Sequence, residues 1–136
     1  GEKMSFATVA QQVIYTALNG AISATVYDDV PVLPAGQPAA NFPYVVIGND
    51  TIRAWDTDDK LGAEATVTLH VWSRAAGMKE AKLIAGQIYD TLHRSIHVIA
   101  GYDSVDCLCE FQEFMTDADG ETRHGALRYR LTLRKE

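Results

Sequence analysis

The chain has 136 residues, of which 47% are hydrophobic and 22% are charged, and its formal net charge is −6. This length and composition predict one soluble domain, residues 1–136, with a substantial core. The negative charge argues against a surface that holds phosphate backbones through clustered Lys and Arg. No apolar run reaches the ~18 residues that a membrane-spanning helix needs, and no basic start followed by an apolar block predicts a signal peptide.

The first part of the chain predicts a helix, a short strand and a long loop. Ser5 is a suitable N-cap, and Asn19-Gly20 suits the helix end, where Gly20 can take the left-handed conformation. Between them, one helical stripe contains Phe6, Val9, Val13, Ile14, Ala17 and Leu18. Residues 25–27 can form a short strand. Residues 28–43 contain all four prolines, so we expect an irregular loop, and long loops in compact domains are often functional.

Two long strands in the centre of the chain predict an antiparallel hairpin. Residues 44–55 begin apolar on both faces, which favours a central position in a sheet. Residues 56–62 form an acidic connection, and residues 64–74 alternate with period two. One face of this second strand has Ala65, Val67, Leu69 and Val71, and the other has Thr66, Thr68, His70 and Trp72. The alternation predicts one buried face.

The second half of the chain predicts a helix followed by two strands. After Gly77 the spacing becomes helical, with one stripe of Ala81, Ile84, Ala85, Ile88 and Leu92. Residues 95–103 show no clear pattern. The next strand has Val105, Cys107, Cys109 and Phe111 on one side, and its phase breaks near Glu113-Phe114. The final strand has Leu127, Tyr129, Leu131 and Leu133 on one face and Ala126, Arg128, Arg130, Thr132 and Arg134 on the other. It is therefore a half-buried strand with a cationic outer face.

Together these elements predict an α+β fold in the order α-(β)-β-β-α-β-β, where the bracketed strand is the short one. Each strand with one apolar face and each helix with one apolar stripe must bury that side. The simplest arrangement is a mainly antiparallel sheet of about four strands with two helices packed on one face. No internal repeat or linker divides the chain.

No constellation of residues predicts catalysis, a metal site or a cofactor. Asp117-x-Asp119-Gly120 is similar to the start of a calcium loop, but the later ligands and the following helix are missing, so a hairpin turn fits better. His93 and His97 are four residues apart, but no H-E-x-x-H motif is present, and there is no G-x-S-x-G elbow or phosphate-binding glycine loop. Cys107 and Cys109 share one strand face, where a bond between them would distort the strand. We therefore expect two reduced, buried thiols facing the helices.

Aromatic and charged side chains predict candidate contact surfaces instead. Trp55, Trp72 and Tyr44 can lie outside the main core, either as interface residues or in a second packing layer within the domain, and both interpretations stay open. The acidic connection after Trp55 is either a solvated hairpin tip or a surface for a basic partner. The candidate interface residues are Tyr44, Trp55, Asp56, Asp58, Asp59, Trp72, Arg128 and Arg130.

Several stretches, in order along nearly the whole chain, are similar to a known family. They are Tyr27-Asp28-Asp29-Val30-Pro31, Phe42-Pro43-Tyr44-Val45-Val46-Ile47-Gly48, residues 68–77 with Lys79-Glu80, and Asp119-Gly120-x-Thr122-Arg123-His124-Gly125. The chain resembles the tail terminator family, also called tail-completion or head–tail joining proteins, of long-tailed phages, prophages and gene transfer agents.

The resemblance implies a structural protein of the virion, assembled in the host cytoplasm, with no catalytic residue and no cofactor. It implies a hexameric ring at the head-proximal end of the tail tube, which ends tube polymerisation and docks to the head–neck connector or stopper protein. The DNA would pass through the lumen without specific binding, which suits an acidic protein. The alternatives are another neck component, such as a stopper or a tube-like subunit, and, much less favoured, a small enzyme. The net charge disfavours a nucleic-acid-binding module.

Overall fold

The computed structural model describes residues 5–28 and 41–136. Within these ranges the chain forms two helices, α1 (Phe6–Leu18) and α2 (Lys79–Leu92), and six strands. The strands are β1 (Thr25–Tyr27), β2 (Tyr44–Ala54), β3 (Gly62–Ser73), β4 (Ser95–His97), β5 (Tyr102–Thr116) and β6 (Arg123–Lys135). Most of the predicted loop at 28–43 lies outside the described residues, so its contribution stays a prediction.

The strands of the described ranges form one sheet in the order β1-β2-β3-β6-β5-β4. β1 runs parallel to β2, and every other neighbouring pair is antiparallel. The predicted α+β class, the β2–β3 hairpin and the short first strand are confirmed, but the predicted count of about four strands was wrong, because this part of the chain has six. β4 was missed because three residues are too few to show a period.

Local signals at its two ends define helix α1. The Ser5 side chain accepts a hydrogen bond from the backbone N–H of Thr8 at 3.2 Å, which satisfies one donor of the first turn. Gly20 has a φ of +84° just after the helix, a conformation that glycine adopts without a steric penalty. Both predicted signals are confirmed.

Both helices bury the stripes that their spacing predicts, and they pack on the same face of the sheet. α2 buries Ala81, Ile84, Ala85, Ile88 and Leu92. Against the helices lie the alternate residues of β3 (Ala65, Val67, Leu69 and Val71) and of β6 (Leu127, Tyr129, Leu131 and Leu133). Period-two alternation therefore identified the buried face of both central strands correctly. The opposite face of the sheet, called the open face below, lacks a helical layer within the described residues.

Strand β5 changes face through a bulge. Val105 and Cys107 are fully buried as predicted, but the register with β6 shifts between Cys109 and Phe111. The extra residue, Glu110, turns Phe111 to the open face, where 46% of its surface is exposed. The prediction that Phe111 lies beside the cysteines was wrong, because the phase breaks earlier than at 113–114. Phe114 packs against the core instead.

Candidate interaction surfaces

A tryptophan and two histidines form a stacked cluster on the open face. Trp72 of β3 lies opposite His124 of β6, and their aromatic rings are parallel within 6° with centroids 4.0 Å apart. His70 Nδ1 and His124 Nε2 lie 2.7 Å apart and share one hydrogen bond. Gly48 leaves the space for the His70 ring, since a Cβ at this position would lie 2.7 Å from two of its atoms. The sequence singled out Trp72 but gave no signal for this cluster.

Burial keeps both histidines uncharged near neutral pH. Desolvation lowers the pKa of His70, and the charge that His124 would carry lowers it further. Desolvation also lowers the pKa of His124, partly opposed by Asp117 and Glu113. A hydrogen bond between two imidazoles needs one ring as donor and the other as acceptor, so at least one ring must be neutral. The cluster is thus a neutral packing element at neutral pH.

Tyr44 lies in a second aromatic cluster near the start of β2. Its side chain is buried and contacts Tyr27 and Phe42, with centroid distances of 6.1 and 5.1 Å. The Arg74 guanidinium covers the Phe42 ring at 4.4 Å. Burial raises the pKa of the Tyr44 hydroxyl. A second packing layer therefore accounts for Tyr44, as it does for half-buried Trp72, and any contact of these two residues with a partner stays a prediction.

The end of the β2–β3 hairpin, residues 49–61 and called the hairpin end below, extends beyond the helical layer. β1 stops pairing with β2 at Tyr27, which lies opposite Val46, and residues 49–54 are exposed on both faces. Trp55 is 42% exposed, and the Arg134 guanidinium lies 5.0 Å from its ring centre. Trp55 thus rests on its own sheet through a cation–π contact and still presents a large apolar surface.

Hydrogen bonds order the acidic tip of this hairpin. The Asp56 carboxylate accepts from the backbone N–H of Gly62 at 2.9 Å, and Asp59 accepts from the Thr57 hydroxyl at 3.2 Å. Lys60 pairs with Asp103 of β5. The tip is therefore a defined turn, in which the one lysine is already paired and the exposed Asp58 carboxylate is free to meet a partner.

The two arginines of the candidate interface lie on the open face of β6. The Arg128 guanidinium lies 5.5 Å from the centre of the Phe111 ring. Arg130 forms an ion pair with Glu110 at 3.2 Å. The β5 bulge supplies both of these partners, because Glu110 is the inserted residue and Phe111 is turned outward by it. Sequence reasoning placed the arginines correctly but missed the residues around them.

An exposed apolar group near the β4–β5 edge was also missed. It consists of Ile96, Val98, Leu108 and Phe111, here called the β4–β5 patch. Ile96 is 75% exposed and Val98 is 98% exposed, and all four count among the exposed large hydrophobic residues. Ile96 lies opposite Asp106, and Leu108 lies opposite Arg130 on the open face. Ile96 and Val98 had no predicted face because β4 was not predicted, and Phe111 was placed on the core side because the bulge at Glu110 was not recognised.

The predicted turn and thiols have clear environments. Residues 117–122 connect β5 and β6, which confirms the turn, and hydrogen bonds from Thr122 and Glu121 lower the pKa of Asp119 to about 2.

Burial raises the pKa of Cys107 to about 12. Cys109 is only half-buried, so the prediction of two buried thiols holds fully for one of them, and both are free cysteines. Within 5–28 and 41–136, no three His, Cys, Asp or Glu side chains are grouped to hold a metal ion.

Comparison with known proteins identifies the class and then the family. The family model described as tail completion protein gp17 matches residues 6–134. The tail completion protein gp17 of Bacillus phage SPP1 is 29% identical over 92 residues, which cover 68% of each chain. A chain from the virion of a native gene transfer agent particle has the same fold, with a TM-score of 0.76 at 22% identity, over 96% of this chain and 99% of that one.

These matches define the class as structural proteins of the virion tail rather than enzymes. The chain belongs to the tail completion protein gp17 family, since the family model covers nearly its whole length. None of the helices in the described ranges is long and apolar enough to cross a membrane.

Proposed function

We propose that this protein forms a hexameric ring at the head-proximal end of the tail tube, where it ends tube polymerisation and joins the tail to the head. Its proposed partners are the tail tube protein and the head–neck connector or stopper protein. Membership of the tail completion family supports a role in tail assembly. The number of subunits and the termination of the tube are the finer parts of the proposal.

The hairpin end is the observation that carries the proposal. Its strand residues 49–54 are exposed on both faces, its turn is ordered by hydrogen bonds, and it combines exposed Trp55 with Asp56, Asp58 and Asp59. Aromatic side chains supply much of the binding energy at interfaces, and acidic neighbours select a basic partner surface. A rigid projection of this kind suits a protein whose activity consists of contacts with other subunits.

The charge of the chain suits a ring through which DNA passes. Six copies, each with a formal charge of −6, together carry a formal charge of −36. A lumen of that sign would repel phosphates rather than hold them. In this proposal DNA therefore passes through without specific binding, and the ring needs no cofactor.

Substitutions in the hairpin end test the proposal in particles. Trp55→Ala removes the exposed aromatic surface, and Asn at positions 56, 58 and 59 removes the charge while keeping an oxygen that can accept the Gly62 hydrogen bond. We expect both variants to fold and to give tails of wrong length or tails that fail to join heads. Tyr15→Ala is the matched control, because Tyr15 is 40% exposed but lies on α1.

Electron microscopy of the particles distinguishes a tail terminator from a stopper. Overlong tails indicate a terminator, whereas tails of normal length without heads indicate the alternative of a stopper at another level of the neck. If both hairpin variants restore normal particles to a phage that lacks its terminator, the hairpin end is not the interface, and the loop at 28–43 becomes the next surface to test.

A further inference from the structure

The stacked cluster on the open face places two imidazole nitrogens face to face. Nδ1 of His70 and Nε2 of His124 lie 2.7 Å apart, and the Trp72 ring is stacked against both histidine rings. The Gly48 backbone lies against the opposite edge of the His70 ring, since a Cβ there would lie 2.7 Å from its Cδ2 and Nε2. The two rings are therefore positioned by packing as well as by their shared hydrogen bond.

A carboxylate lies in the same cross-strand row as this pair of nitrogens. His70 of β3 is opposite Ala126 of β6, and Ala126 is opposite Glu113 of β5. Residues directly opposite on neighbouring antiparallel strands point to the same face, with Cβ atoms about 4.5–5.5 Å apart. Ala126 is small and only partly buried, so the middle of the row has room for a ligand between His70 and Glu113.

The charges around the nitrogen pair favour a cation. Burial keeps both histidines uncharged near neutral pH. The charges that act on the pKa of His124 are those of Asp117 and Glu113, and both are negative. Arg128 is the next open-face residue of β6, but its guanidinium lies over the Phe111 ring at 5.5 Å from the ring centre. A dication at the pair would thus meet two neutral nitrogens, with two carboxylates close by.

We propose that His70 and His124 bind one divalent transition-metal ion, such as Zn²⁺ or Cu²⁺, with Glu113 as the third protein ligand. Neutral imidazole is the commonest side-chain ligand of such ions, and two histidines with one carboxylate form a known type of open site. The remaining coordination positions face solvent on the open face and are filled by water.

Three local changes convert the hydrogen-bonded pair into this site. Metal–nitrogen bonds of about 2.0–2.1 Å place two ligand nitrogens roughly 2.9–3.4 Å apart, so the rings turn and separate by less than about 1 Å. The ring that donates the shared hydrogen bond moves its proton to its other nitrogen, which leaves a lone pair on both facing nitrogens. Glu113 changes rotamer, because within the described ranges no three such side chains are grouped yet, and its exposed position allows this change.

The bound ion would join three neighbouring strands, since its ligands belong to β3, β6 and β5. The unfolded chain does not hold these ligands together, so the ion should stabilise the fold. This inference goes beyond the proposed function, which needs no ion, and it can be tested on the isolated chain.

Isothermal titration of the purified chain with Zn²⁺ tests the site, once any histidine tag and chelator have been removed. We expect one Zn²⁺ per chain, with the affinity lowered at least about tenfold in His70→Ala and in His124→Ala, and lowered less in Glu113→Gln. His93→Ala and His97→Ala are the matched controls, because they remove histidines outside the cluster, and they should keep the affinity. Affinity unchanged in His70→Ala and His124→Ala means adventitious binding and overturns the site, and unchanged affinity in Glu113→Gln overturns the third ligand.

Spectroscopy of the unchanged chain keeps the proposal testable if an alanine variant fails to fold. Electron paramagnetic resonance of the chain with one equivalent of Cu²⁺ should show coupling to two imidazole nitrogens, and His124→Asn should lose at least one of them. Zn²⁺ at roughly 100 times its Kd should raise the Tm of the unchanged chain but not that of His124→Asn. A spectrum without imidazole coupling, or an equal rise in Tm in both proteins, overturns the site.

These outcomes leave the proposed function untouched. A chain that binds no ion but still ends tails at normal length refutes only the metal site. A chain that binds Zn²⁺ through His70 and His124 but is absent from the head-proximal end of the tail refutes only the proposed function.

Discussion

Gly48→Ala should destabilise the protein although only one methyl group is added. The new Cβ would lie 2.7 Å from Cδ2 and Nε2 of His70 and 3.0 Å from the Thr68 carbonyl oxygen, whereas optimal contacts are roughly 3.5–4.0 Å. The His70 ring must move, which strains its 2.7 Å hydrogen bond to His124. Overpacking costs about 1–3 kcal/mol and a lost hydrogen bond about 0.5–1.5 kcal/mol, while the change from Gly to Ala restores about 0.4–1 kcal/mol.

The expected loss in unfolding free energy is therefore about 2 kcal/mol, which would lower Tm by roughly 6–10 °C. Urea denaturation followed by circular dichroism measures it. Gly86→Ala is the matched control, because Gly86 lies inside α2 with nothing within 4 Å of its Cβ, so it should be stabilising by about 0.5–1 kcal/mol. In a His70→Ala background the cost of Gly48→Ala should shrink by at least half. An equal cost in both backgrounds would refute the steric argument.

The remaining predictions concern pH and thiol chemistry. Because the folded-state pKa values of His70 and His124 lie below the ordinary value near 6.5, the folded protein binds fewer protons than the unfolded chain. Stability should fall as the pH drops from about 7 to about 5, and this fall should be smaller in His124→Asn when urea midpoints are compared. Cys107 should react with a thiol reagent only on unfolding, whereas half-buried Cys109 should react faster in the native protein. Cys107→Ala should cost roughly 1 kcal/mol or somewhat more of unfolding free energy, and rapid native labelling of Cys107 would contradict its burial.

The sequence was most informative where a period continues over several turns or strand residues. The stripe of α2 and the alternating residues of β3 and β6 correspond to the buried residues of the structure. In these elements the burial of one side fixes both the local conformation and the orientation of the element. The local sequence pattern is therefore enough to predict both. The ends of α1 at Ser5 and Gly20 could be predicted for a similar reason, because a helix end needs particular residues.

Features that depend on a distant partner were not readable in this way. β4 exists through pairing with β5, and the bulge at Glu110 is visible only against the register of β6. The stack of His124 on Trp72 joins residues 52 positions apart on neighbouring strands. The candidate interface shows the same limit. Arg128 was placed on the open face by alternation, but its apolar neighbours at the β4–β5 patch depended on the two features that were missed.

Because the sheet has one face buried under the helices and one open face, substitutions that change contacts can be distinguished from substitutions that change folding. Residues facing the helices form one continuous core, so their substitution alters stability first. The hairpin end and the β4–β5 patch contribute little to that core, because their apolar side chains remain exposed. Substitution there costs the isolated chain little, and its effect should emerge when copies meet. A surface variant with normal melting behaviour but defective tails would therefore be the expected signature of a protein whose activity lies in its contacts.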